Sequence, residues 1–205
     1  MTRLPALYAI VDPAGSGRSP FDLAAAYLAG GARLLQLRLK DAPARALYEA
    51  ALALRAVTRA HGARLIVNDR PDVAAAVDAD GVHLGQEDVP VAVARRLLGP
   101  DRLVGVSTHD VEEARRALAD GADYLGVGPV FTTTSKTAAL PARGLELVRT
   151  VRALTDRPLV AIGGITPETA ASVRAAGADA IAMIAALARA NDPTAAVRAT
   201  LAALG

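Results

Sequence analysis

Eight times along the chain a short apolar run rich in Val, Leu and Ile gives way to a longer Ala-rich stretch whose apolar residues recur at three and four positions. The apolar runs fall at 7–11, 34–39, 64–67, 81–84, 103–106, 124–127, 159–162 and 180–183, and helix-period segments such as 42–61 and 111–120 lie between them. Strict strand, helix, strand order without hairpin signals implies a parallel sheet covered by helices. Three returns are near-copies: Gly30-Gly31-Ala32, Gly121-Ala122-Asp123 and Gly177-Ala178-Asp179 each close a helix and open the next strand, with Gly where a left-handed C-cap needs it. Eight such units can close on themselves or form an open doubly wound sheet. The expectation is a single-domain α/β fold, a (βα)8 TIM barrel over residues 1–205, with its longest connection at 128–143 after strand six.

Composition narrows the function classes. Aromatics make up 3% of a chain that is 52% hydrophobic, so Ala, Leu, Val and Ile must build the core. Without cysteine there is no thiolate catalysis, no disulfide and no Cys-based zinc site. A formal charge of +2, with arginines scattered through the helical stretches, offers no basic block, and so few aromatics offer no platform for stacking bases. Nucleic acid is not an expected partner. No basic stretch followed by a long apolar run opens the chain, and no apolar segment approaches the ~20 residues that span a bilayer. The expected protein is soluble, cytoplasmic and free of membrane contact.

Lys stands at only two of 23 basic positions, 40 and 136; Gln occurs only at 36 and 86, and Asn only at 68 and 191. Gln36, Lys40, Asn68, Gln86 and Lys136 all fall at or just past the carboxyl end of a strand, where barrels keep their chemistry. In Leu35-Gln36-Leu37-Arg38-Leu39-Lys40, period two sends the leucines to the helices and the polar three into the barrel. That polar set is either an internal ionic layer balanced by neighbouring acids or an anion site, and the high cost of unpaired buried charge favours the anion site. Asn68-Asp69 after strand three and Gly85-Gln86-Glu87-Asp88 after strand four place two acids on adjacent strand ends. They either start helices or share a hard cation, and beside a cationic strand the joint reading is a Mg-diphosphate site. The loop from Gly128-Pro129 through Thr132-Thr133-Thr134-Ser135-Lys136 is long enough to close over a ligand. Gly163-Gly164 after strand seven and Ile184-Ala185 after strand eight sit where barrels often hold a phosphate. His109 is a possible acid or base, with a structural role as the default for it and for His61 and His83.

Read together, Gln36-Leu37-Arg38-Leu39-Lys40, Asn68-Asp69-Arg70, the run from Gly81-Val82-His83 to Glu87-Asp88, Gly105-Val106-Ser107-Thr108-His109, Gly128-Pro129-Val130-Phe131 and Ala161-Ile162-Gly163-Gly164-Ile165 resemble thiamine phosphate synthase, also called thiamine-phosphate pyrophosphorylase. The resemblance runs from Leu7 to Pro193, and the order and spacing of the motifs make it specific. It implies a Mg2+-dependent transferase that joins a pyrimidine methyl diphosphate to a thiazole phosphate. On this resemblance Gln36, Leu37, Arg38, Leu39, Lys40, Asn68, Ser107 and Lys136 hold the pyrimidine diphosphate, and Asp69 and Asp88 ligate Mg2+. Thr133, Thr134, Ser135, Gly164 and the backbone of Ile184 and Ala185 hold the thiazole phosphate. Catalytic roles fall to Arg38, Lys40, Ser107 and Lys136. The family's reaction expels pyrophosphate to leave a pyrimidine methyl cation that the thiazole nitrogen traps, which asks for charge neutralisation and positioning rather than a nucleophile.

Departures from the family pattern cluster on the thiazole side: Ser135 within 132–136, Ala185 where Ser is usual, and Thr169 where Asn is common. Two rival readings use the same barrel. A thiazole tautomerase would use His109 and dispense with Mg2+, but its relatives typically lose the acids that stand here at 69 and 88. A non-catalytic phosphate-ligand regulator would have little reason to keep the cation and carboxylate set.

Overall fold

In the computed structural model, which describes residues 3–133 and 141–205, the eight runs form eight parallel strands hydrogen-bonded in sequence order into a closed barrel. The strands are β1 (Leu7–Val11), β2 (Leu34–Leu37), β3 (Arg64–Asn68), β4 (Gly81–Leu84), β5 (Leu103–Thr108), β6 (Tyr124–Val127), β7 (Leu159–Ile162) and β8 (Ala180–Met183). The helices are α1 (Pro20–Gly30), α2 (Ala44–Ala60), α3 (Pro71–Ala76), α4 (Val91–Leu98), α5 (Val111–Ala119), α6 (Gly144–Arg152), α7 (Pro167–Ala175), the short α8 (Ala185–Ala188) and α9 (Pro193–Leu204). Closure settles the choice between barrel and open sheet: β1 pairs with both β2 and β8. Among the described residues no helix is long and apolar enough to cross a membrane.

Alternation along each strand builds two cores. Leu7, Ala9 and Val11 face outward into the large cluster under the helices, while Tyr8 and Ile10 face inward with Leu34, Ile66, Tyr124, Val160 and Ala182. Both faces of β1 are buried, as a barrel strand requires. The expected left-handed returns occur at Gly31, Gly121 and Gly177, with φ of 105°, 87° and 113°.

Three strand ends differ from the sequence reading: β3 runs one residue further, to Asn68, and the changes in β2 and β5 shape the mouth of the barrel. β2 stops at Leu37 rather than at 39, because its partner β3 turns away at Asp69, whose φ of 62° leaves the extended region. Arg38 still donates its N–H to Val11 O at 3.0 Å. β5 runs on to Thr108, because Ser107 and Thr108 pair with Gly126 and Val127 of β6.

Candidate active site

The inward side chains at the carboxyl ends of the strands line a cleft of about 400 Å3, counting the space open at its mouth. Gln36 and Arg38 come from the second strand and its extension, Asn68 from β3, His83 from β4 and Ser107 from β5, with Ile162 and Ile184 opposite. Period two therefore brings Gln36 and Arg38 inward as expected. Leu37 is fully buried in the outer core and Leu39 packs against it, so both leucine side chains turn away from the cleft. Lys40 is exposed.

Arg38 has an acid partner that the sequence reading did not find. Its NH1 forms an ion pair with Oδ2 of Asp12, just past the end of β1, and the side chains are 11% and 5% exposed. Asp12 Oδ1 also accepts from Ala14 N–H at 3.0 Å, which fixes the carboxylate and through it the guanidinium. Half of the ionic-layer alternative is thus realised: one cation of the polar strand is balanced by an acid from its neighbour. A nearly buried pair of this kind presents a guanidinium in one orientation, and the free face of the fork can still meet a second anion.

Asp69 and Asp88 come together across the ends of β3 and β4. Burial pushes the Asp69 carboxyl up to about 6, reinforced by hydrogen bonding to Asp88 and by its charge, against the opposing pull of Arg38 and Lys40. Asp88 Oδ2 accepts the Gly85 N–H at 2.6 Å, and Asp69 N–H donates to His83 O at 2.8 Å. The positive φ of Asp69 is a conformation that costs most side chains energy. Among the described residues no group of three or more His, Cys, Asp or Glu is placed to hold a metal ion. Two acids alone match a cation that takes its remaining ligands from a phosphorylated substrate.

Beneath the cleft runs a chain of polar groups that periodicity did not reveal. Gln36 Nε2 donates to Tyr8 OH at 2.9 Å, Tyr8 OH meets Tyr124 OH at 3.1 Å, Tyr124 OH meets His83 Nδ1 at 3.1 Å, and His83 Nε2 meets Ser107 Oγ at 2.9 Å. Five strands contribute one member each. Room for the rings comes from two glycines: a Cβ on Gly105 would lie 2.0 Å from Tyr124 Cζ, and one on Gly126 would lie 3.0 Å from His83 Cε1. Burial raises the pKa of both phenols, so Tyr8 and Tyr124 keep their protons. Gln86 adds a rim contact, donating Nε2–H to Ser107 O at 2.6 Å.

The far side of the mouth is built around the start of the loop after β6. Val130 N–H bonds Ile162 O and Phe131 N–H bonds Gly163 O, each at 2.9 Å, while Arg143 N–H returns to Pro129 O at 2.8 Å. A Cβ on Gly163 would sit 2.5 Å from Pro129 Cβ, and one on Gly164 would sit 2.4 Å from Thr132 O. This stem already explains the glycine pair, apart from any phosphate. Gly164 is exposed, Ile184 lines the cleft, and Ala185 opens α8. Thr133 is half-buried at the edge of the described residues, whereas Thr134, Ser135 and Lys136 lie outside them. His109 is not among the cleft-lining residues; its Nδ1 and its backbone N–H both bond Glu113 Oε2, at 2.8 and 2.7 Å, at the start of α5.

Comparison with known proteins agrees with this geometry. The model of the thiamine monophosphate synthase family matches residues 7–187, most of the chain. The chain belongs to that family. A thiamine-phosphate synthase of Moorella thermoacetica is 52% identical over 193 residues, covering 94% of this chain and 92% of that protein. One from Chloroflexus aurantiacus is 53% identical over 193 residues, covering 94% and 89%. The solved structure of a thiamine phosphate pyrophosphorylase from Pyrococcus furiosus superposes with a TM-score of 0.89 at 40% identity, covering 97% of this chain and 94% of that one. Thiamine monophosphate synthases thus share both the fold and half the residues of this chain, and the tautomerase and regulator readings have no comparable support.

Proposed function

We propose that the protein is a thiamine-phosphate synthase, a transferase that joins an aminopyrimidine methyl diphosphate to a thiazole phosphate. The observation that carries the reading is the meeting of Asp69 and Asp88 at one side of a cleft whose floor holds Gln36 and Ser107 and whose wall holds the fixed guanidinium of Arg38. An anion with an aromatic ring attached fits that division: charge at the rim, hydrogen-bonding groups below.

The residues fit Mg2+. Asp69 and Asp88 would hold it, and when bound it neutralises charge on the diphosphate. Arg38 and Lys40 add positive charge beside the leaving group, with Lys136 assigned there by family pattern. In the reaction the bond from the pyrimidine methylene carbon to the diphosphate oxygen breaks, and its electron pair leaves with pyrophosphate. The thiazole nitrogen lone pair then forms the new carbon–nitrogen bond. Gln36 and Ser107 orient the pyrimidine, and Asn68 borders the diphosphate. The apolar wall of Ile162 and Ile184 keeps water from the cation until the thiazole arrives. Thr133, Thr134, Ser135, Gly164 and the Ile184-Ala185 backbone are assigned to the thiazole phosphate.

Purified protein supplied with both substrates and Mg2+ should form thiamine phosphate, followed by fluorescence after oxidation, and EDTA should abolish the signal. Folded protein that makes no product under these conditions would overturn the assignment.

A further inference from the structure

Tyr124 is 1% exposed and is not among the residues that line the cleft, yet its hydroxyl joins the two halves of the polar chain beneath it. Proton counting shows what such a link does. The four contacts from Gln36 to Ser107 each need one hydrogen. With Gln36 Nε2–H given to Tyr8, the Tyr8 proton goes to Tyr124, the Tyr124 proton to His83 Nδ1, and the single N–H of a neutral imidazole to Ser107 Oγ. The Ser107 proton is then left for the cleft, and Gln36 Oε1 remains an acceptor. If the amide turns over, every bond reverses: Ser107 donates to His83 Nε2, Nδ1–H donates to Tyr124, and Tyr8 donates to Gln36 Oε1. With the imidazole neutral, any mixed pattern among these four contacts leaves a buried hydroxyl proton unshared or sets two protons against each other, which disfavours it by about tenfold or more. The chain therefore has two ordered states, and its ends cannot be set independently.

We infer that Tyr124 is a positioning residue that couples Gln36 to Ser107, so that one end offers the cleft an acceptor only when the other offers a donor. Resting on the synthase reading, the state with Gln36 Nε2 toward Tyr8 presents an acceptor and a donor to a ring that carries an amino group beside a ring nitrogen. A ring with the opposite pattern would have to reverse all four bonds, so the relay acts as a specificity device remote from the reacting atoms. The glycines at 105 and 126 belong to the same device, since side chains there would displace the rings of Tyr124 and His83.

The test needs no substrate. Nitrogen-15 spectra of the full chain labelled at its three histidines report which His83 nitrogen carries the proton. At pH 8 the unaltered protein should show one His83 tautomer, protonated at Nε2. Gln36→Glu places a carboxylate, an acceptor only, at the far end and should move the proton to Nδ1. Combining Gln36→Glu with Tyr124→Phe, or with Tyr8→Phe as an independent break, should abolish that response. A His83 tautomer indifferent to Gln36→Glu, or one that responds equally with and without the Tyr124 hydroxyl, overturns the relay. In turnover, Tyr124→Phe should raise KM for the pyrimidine diphosphate about tenfold and leave inhibition by inorganic pyrophosphate unchanged, because pyrophosphate has no ring. Loss of pyrophosphate affinity in the same proportion would instead indicate general damage. If the protein made no thiamine phosphate at all, the synthase reading would fall while the tautomer experiment would still decide the relay.

Discussion

The two ends of the barrel treat acidic residues in opposite ways. At the amino ends of the strands, Asp80, Asp123 and Asp179 each precede an even-numbered strand, and each accepts a backbone N–H from the strand before it, Leu65, Val104 and Leu159, at 2.7 to 2.8 Å. Each also pairs with an arginine from the preceding even-numbered helix: Arg55 at 2.7 Å, Arg95 at 2.5 Å and Arg152 at 2.9 Å. The unit repeats three times around the barrel; before β2 the corresponding position is Arg33, which breaks the series. At the carboxyl ends, Asp69 and Asp88 face each other, one on a left-handed backbone, while Arg38 is engaged by Asp12. One end satisfies its charges and holds the barrel together. The other keeps like charges together, an arrangement worth its cost only if something cationic joins them.

The largest expected effect sharpens this contrast. Asp69→Ala should lower the rate of thiamine phosphate formation by about 10^2- to 10^3-fold, the scale of removing one electrostatic contact from a transition state, while leaving the thermal midpoint nearly unchanged. Asp80→Ala should do the reverse. Arg55 is only 11% exposed and its Nε has no partner among the described residues, so loss of Asp80 leaves a nearly buried guanidinium with only the longer 3.9 Å pair to Asp78 and strands the Leu65 N–H. The expected loss is about 2 kcal/mol in urea unfolding, with kcat per folded molecule retained. Equal damage to rate and stability in both variants would erase the division between a binding end and a structural end.

How far the sequence revealed each end depends on what kind of signal each residue carries. The strands were legible because an apolar run buried on both faces has no other home, but eight repeats left both a barrel and an open sheet possible by pattern, and only the pairing of β1 with β8 decides between them. Ser107 was reached only through the family resemblance, whereas Gln36, Asn68, Asp69 and Asp88 were legible because polar residues at strand ends stand out against Leu and Val. Tyr8, His83 and Tyr124 were not, since an aromatic residue in an apolar strand reads as core. Their meeting depends on the inward face of β1 meeting that of β6 across the barrel, which one-dimensional periodicity does not encode. Asp12 was missed for a related reason: next to Pro13 it reads as a turn residue, and only the β1–β2 register brings it to Arg38. The arginine–aspartate units at the amino ends were half visible, as the Gly-Ala-Asp returns, but the helix arginines that complete them lie about 25 to 28 residues away in sequence.

A smaller effect tests the cost of the acidic pair itself. Asp69 holds its proton up to about pH 6 in the folded chain, above the usual carboxylate value near 4, chiefly because of burial and then because of Asp88. The folded state therefore binds that proton more tightly than the unfolded state, so ionised Asp69 destabilises the metal-free fold above about pH 6. The penalty fades as the pH falls through 6 toward 4. Asp69→Asn removes the ionisation and keeps a residue that tolerates a φ of 62°. In EDTA at pH 8 it should stabilise the protein by about 1 kcal/mol, after allowance for solvent around a half-buried group, and the gain should disappear by about pH 4. Urea titrations of both proteins across that range measure it directly. A gain independent of pH would trace the effect to backbone strain rather than to charge. A loss of stability at pH 8 would mean that the carboxylate is already satisfied by its surroundings, and the two ends of the barrel would then differ less than their geometry suggests.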